Sequence, residues 1–194
     1  DMKDLGSEKL AAMAGTMDKD SFKEMGGMQN ARMAKELNAS DMKELGSATL
    51  AAMAGTMDRN SFREMGGMQN ARMAKELNAN DMKELGREKL AAMAGTMDND
   101  SFKEMGAMQN ARMAKEFDAS DMKELGSAKL AAMAGTMDKD SFKEMGAMQN
   151  ARMAKEFDAS DMKELGSEKL AAMAGTMDRN SFMEMGAMQN ARMA

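Results

Sequence analysis

Thioether sulfur is the commonest reactive group in this chain. Methionine occurs 31 times in 194 residues, while Cys, His, Tyr and Trp are absent. Met13 and Met17 stand four residues apart and Met25 and Met28 three, so each pair shares one side of a helix. Thioethers prefer soft ions such as Cu(I) and Ag(I). They also accept oxygen from two-electron oxidants. Met13, Met17, Met25 and Met28 are therefore the candidate soft-metal ligands, and a thioether metal buffer or oxidant sink is one function class the chain admits. The same spacing is also what a core built of methionine requires, and no imidazole or thiolate is present to strengthen such a site.

The other polar residues offer less. "DKDSFKE", residues 18–24, resembles part of a calcium loop, but it lacks the central glycine and the twelve-residue ligand spacing. Asp20 is replaced by Asn60 and Asn180 in the equivalent positions, which suits helix capping better than ligation. Serines such as Ser21 and Ser47 fall near expected helix starts with no base at hand, so the reading is of a non-catalytic chain without a cofactor.

The elements that carry these residues follow from a strong internal repeat. "DMKELGS" begins at residues 41, 121 and 161, with the variants "DMKDLGS" at 1 and "DMKELGR" at 81. The period is 40, giving a single repeat array over 1–194 with copies 1–40, 41–80, 81–120, 121–160 and a shortened 161–194. A weaker period of 20 lies within it: Met2, Leu5, Gly6, Met13 and Met17 correspond to Phe22, Met25, Gly26, Met33 and Leu37. Val, Ile and Pro are missing, so strands have few formers, whereas Ala, Met, Leu, Glu, Lys and Arg favour helix. The twelve Leu and seven Phe alone would leave the chain short of core. With methionine included, about a quarter of the chain can be buried.

Each half-repeat is expected to form one helix. Asp41 with Glu44, and Ser61 with Glu64, match the capping-box pattern. Met42, Leu45, Leu50, Met53 and Met57 share a face roughly 140° wide. Two halves joined by about three residues make a helical hairpin. Five hairpins make an all-α array stacked as an α-solenoid or superhelical rod, on the order of 50 Å long at ordinary helix spacing. The glycines admit a second pattern. Gly46 on the apolar face would permit close helix approach, and Gly55 beside Ala51 would give a second smooth face, with "LAAMAGTM" buried on two sides. Alternatively Gly6 and Gly26 end short helices and new ones begin at once. Gly27 is alanine in three copies, so no left-handed backbone is required there.

In the second half-repeat Phe62, Met65, Met73 and Leu77 share a face, but Met68 lies about 120° from its centre. Met28, Met68, Met108, Met148 and Met188 are thus surplus to a simple amphipathic pattern. Packing against the adjacent hairpin is the ordinary explanation. An exposed row of thioethers for apolar partners is the other, and these five are the candidate partner-binding residues. Asn70 occupies the slot held by Leu50 in the first half.

"MAGTMDKDSFKEMGGM" and "MAKELNASDMKELG" resemble the methionine-rich helical modules of ubiquilin-type co-chaperones and of some chloroplast-targeting receptors. The resemblance is one of composition and covers the whole chain. It implies short amphipathic helices that form a groove for apolar client segments, with Met25, Met28 and Met33 and their repeats as lining residues. The Asn-Pro or Asp-Pro helix starts of that group are missing, since the chain has no proline.

Several classes are disfavoured by charge and hydropathy. The net charge of −5 is spread over intermixed acids and bases, so no basic patch marks a nucleic-acid surface. The longest apolar run, Leu10–Ala14, is far too short to span a membrane. No signal peptide is visible, and a start at Asp1 reads as a processed form or a fragment; absence of Cys fits any compartment. The regular first and last copies lack the polar capping repeats usual in solenoids, which points to a longer array or to head-to-tail self-stacking. The expected role is structural or scaffolding, through self-stacking or binding of apolar helices.

Overall fold

The computed structural model describes residues 2–193. All regular structure among the described residues is α-helix, in eighteen segments. The chain divides into two compact units, Asp1–Met97 and Asp98–Ala194.

The one-helix-per-half-repeat expectation is corrected by the glycines. Ten glycines, from Gly6 to Gly186 at intervals of twenty, have positive φ. Gly66 takes φ 89° and ψ 157°, a region that essentially only glycine occupies without strain. Its N–H donates to the Phe62 carbonyl at 3.1 Å, closing the helix Arg59–Met65. Its own carbonyl accepts from the Asn70 N–H at 3.0 Å, opening Gly67–Glu76. The backbone therefore turns between helices while keeping its hydrogen bonds, which a reading based on helix propensity alone does not register. Even the continuous-looking Ala39–Gly55 is non-helical at Gly46. A Cβ placed on Gly46 would meet nothing within 4 Å, so its role is backbone conformation and not the expected close helix approach.

The helix starts also lie three residues earlier than expected. Asp58 is the cap of Arg59–Met65, and its Oδ1 accepts from the Ser61 N–H and hydroxyl, both at 2.8 Å. Asn38 and Asn78 form capping boxes with Asp41 and Asp81, in place of the Asp41–Glu44 pairing. Ser61 and Asp41 sit in the first turn as partners of the cap. Glu64 instead pairs with Lys35 at 3.3 Å. The Ser61 N–H, and then its hydroxyl, hold the Asp58 carboxyl below its ordinary pKa by stabilising the charged form. Asp18, Asp98 and Asp178 are lowered in the same way, and at Asp138 the Ser141 hydroxyl is the larger cause.

Methionine, leucine and phenylalanine fill the core of each unit. In the first, Phe22, Met33, Met42, Leu50, Met53, Met57, Phe62 and Met73 are fully buried. Each such side chain contributes about 1.5–3 kcal/mol by leaving water. Leu45 is only half-buried, at the edge of the expected face. "LAAMAGTM" is buried on one side and not two: Leu50, Met53, Ala54 and Met57 are buried, whereas Gly55 is exposed. No helix among the described residues is long and apolar enough to cross a membrane.

Candidate functional site

The helix Gly67–Glu76 presents two unlike faces. Asn70, Ala71, Met73 and Ala74 point into the core. Met68, Arg72 and Lys75 follow at intervals of four and three residues and so form the outward row. The same Met–Arg–Lys row is written as Met28–Arg32–Lys35, Met108–Arg112–Lys115 and Met148–Arg152–Lys155.

The inward face is anchored by amides. Asn70 is fully buried, and its Nδ2 donates to the Phe62 carbonyl at 2.8 Å and to Thr96 Oγ1 at 2.7 Å. It thereby fastens the two helices on either side of Gly66 to a third one further along the chain. Asn30, Asn110 and Asn150 do the same with Thr56, Thr136 and Thr176. Gln69 Nε2 reaches back to the Ala34, Lys35 and Leu37 carbonyls at 3.0, 3.0 and 2.7 Å, satisfying acceptors at the end of Gly27–Glu36. Arg72 in turn donates from Nη1 to Gln69 Oε1 at 2.9 Å, which fixes the amide's orientation. Lys89 Nζ donates to the Met57 carbonyl at 2.6 Å. Sequence reasoning missed all of these ties. The only signal was a polar residue, Asn70, where the sister half carries Leu50.

This anchoring decides where the surplus methionines lie. Met28, Met68, Met108 and Met148 are 36–38% exposed, and Met188 is 70% exposed. Packing against a neighbouring hairpin does not enclose these residues, and more than a third of each stays open to solvent. Gln69 and Asn70 take the inward contacts, and Met68 is left on the outer side.

The soft-metal candidates are distributed differently. Met28 is exposed, Met13 is 39% exposed, and Met17 and Met25 are half-buried. Of the equivalents of Met13, Met53, Met93 and Met133 are fully buried and Met173 is 1% exposed; the equivalents of Met25, which are Met65, Met105, Met145 and Met185, are 2–3% exposed. In the repeats, then, these two positions serve the core. No group of three or more acidic residues that could hold a metal ion occurs among the described residues. Of the groove-lining residues implied by the co-chaperone resemblance, Met33 is fully buried and Met25 half-buried, leaving Met28 outward.

A shallow groove recurs beside the helix that carries "AAMAG". In the first unit, a groove of about 320 Å³ is lined by Ala51, Ala52 and Gly55 together with Lys23, Leu85 and Lys89. In the second, a groove of about 420 Å³ repeats the pattern with Ala131, Ala132, Gly135, Leu165, Lys169 and Lys103. Gly55 belongs to this open surface and not to the stacking face expected of it. The Thr136 side chain at the groove edge is the one that Asn110 holds.

Comparison with protein-family models, with curated proteins and with solved structures finds no match to this chain.

Proposed function

We propose that this protein is a non-catalytic scaffold in which tandem 40-residue repeats stack as an α-solenoid within each unit. It docks amphipathic helical segments of other proteins along its outward methionine rows. The observation that carries this reading is the near-equal exposure of Met28, Met68, Met108 and Met148 at one position of the first four repeats. A flexible, polarizable side chain suits apolar helices of varied shape. The arginine one turn after each methionine favours a partner whose apolar stripe is flanked by acids. The repeated amide ties support stacking, since each repeat meets the next through the same donors and acceptors.

The test is a titration with an acidic amphipathic helical peptide, followed by fluorescence anisotropy. Replacing Met28, Met68, Met108 and Met148 together by serine is expected to weaken binding about tenfold or more, leaving far-UV circular dichroism unchanged. Equal binding by both proteins sinks the docking reading. Self-stacking is the second reading, favoured by one observation: Gln69 and Gln149 each donate to three carbonyls of the preceding copy, a tie that a further copy of the repeat can make again. Sedimentation over a concentration series tests it, and a single monomeric species throughout removes it.

A further inference from the structure

We infer that Met68 and Met148 are built sites of methionine sulfoxidation by hydroperoxides, in which the arginine four residues on receives the new oxygen. Two independent observations meet at these positions. The first is access. Met68 and Met148 are 37% exposed, whereas Met53, Met73, Met133 and Met153 are fully buried, so an oxidant meets one class of thioether long before the other. The second is an unpaired donor. The Nε of Arg72 and the Nε of Arg152 are buried and have no hydrogen-bond partner. Their Nη1 groups are already engaged with Gln69 and Gln149. A buried donor left unpaired is unfavourable, and a new acceptor nearby relieves that cost.

Met68 and Arg72 lie one turn apart on Gly67–Glu76, and Met148 and Arg152 do so on Ala147–Glu156. Long helical side chains lean toward the N-terminus, which brings the guanidinium over the turn that carries the methionine. A thioether is a weak acceptor, whereas a sulfoxide oxygen is a strong one. In the reaction the sulfur attacks the terminal peroxide oxygen, an S–O bond forms and the O–O bond breaks. The leaving alkoxide or hydroxide takes the remaining proton, giving an alcohol or water. Sulfur loses two electrons and the peroxide gains them. The sulfur lone pair facing the guanidinium reacts in preference, because the oxygen delivered there is hydrogen-bonded at once. The product replaces an apolar group of the outward row by a polar one, a change that on the docking reading releases the partner.

The experiment uses the full chain treated with limiting hydrogen peroxide, with sulfoxides located by peptide mass mapping and their two epimers separated by chromatography. Met68 and Met148 are expected to oxidise about tenfold or more faster than Met53 and Met73, with helical content retained. An epimer excess is expected at both. Met183, which is 71% exposed and has alanine four residues on, is expected to give near-equal epimers. Arg72→Lys, which removes Nε, should abolish the excess at Met68 and preserve it at Met148, with Met148 as the internal reference and continued protection of Met53 and Met73 from oxidation reporting intact folding of the altered unit. Equal epimers at Met68 in the unaltered protein, or an excess that survives Arg72→Lys, overturns the inference. So does oxidation of core and outer methionines at the same rate. The docking reading fails separately, if the acidic helical peptide does not bind the untreated protein.

Discussion

Asn70 shows how much one side chain settles. Its Nδ2 amide donates one hydrogen to the Phe62 carbonyl and the other to Thr96 Oγ1, and the side chain is wholly enclosed. Thr96 Oγ1 passes the interaction on, donating to the Met93 carbonyl at 2.7 Å. The chain Phe62–Asn70–Thr96–Met93 links three helices without any charge. Asn70→Ala removes the donor from two acceptors and leaves a void, so it is expected to cost about 2 kcal/mol or somewhat more. A urea unfolding curve should show a lower midpoint with an unchanged slope. The residue was visible in the sequence only as a mismatch, a polar group in leucine's slot. Its partner lies 26 residues away, and pairing at that distance depends on how the helices meet, which helical periodicity does not encode. Met68 was legible as surplus to the buried stripe, but its outward position followed from the two amides beside it.

At the scale of the element, short helices are made stable by their ends. A seven-residue helix such as Arg59–Met65 has few internal hydrogen bonds, and isolated helices of that length do not persist in water. Asp58 at one end and Gly66 at the other satisfy groups that would otherwise be bare. The Asp58 carboxyl has a folded-state pKa below its ordinary value of 3.8. Its contribution is therefore fully present above the unfolded value and is lost as pH falls through the depressed folded one. Asp58→Asn keeps a capping acceptor, as Asn38 and Asn78 show, and takes away that titration. The variant should match the parent in thermal midpoint at neutral pH and lose less than the parent on acidification to about pH 3, followed by circular dichroism. Helix type was legible from composition and from the spacing of Met42, Leu50, Met53 and Met57. The boundaries were not, because Asp58, Ser61, Asn38 and Asp41 are all good capping residues and only backbone geometry selects among them. The glycine breaks were legible as an alternative, since residue type alone does not report a positive φ.

At the scale of the whole molecule, the forty-residue period is plain in the sequence, while the means by which copies adhere within each unit is not. Lys35–Glu64, Lys115–Glu144 and Lys155–Glu184 join successive copies at 3.2–3.3 Å, but these side chains are 36–49% exposed. Such pairs contribute less than about 1 kcal/mol each and are screened by salt. Buried methionine and the uncharged Asn and Gln ties dominate instead. Raising salt from near zero to about 1 M is therefore expected to change unfolding free energy by no more than about 1–2 kcal/mol, measured by urea titration. The same dependence on neutral contacts accommodates the exchange of Glu and Ala at positions 8, 48, 88, 128 and 168. The ten turning glycines carry a consequence of another kind. Their backbone angles, φ 84–90° and ψ 155–157° at Gly26, Gly66 and Gly146, belong to the mirror-image half of conformational space. With no neighbouring atom within 4 Å to refuse a methyl group at these three positions, handedness alone excludes the other residues. In a chemically synthesised chain, D-alanine would serve there where L-alanine would not.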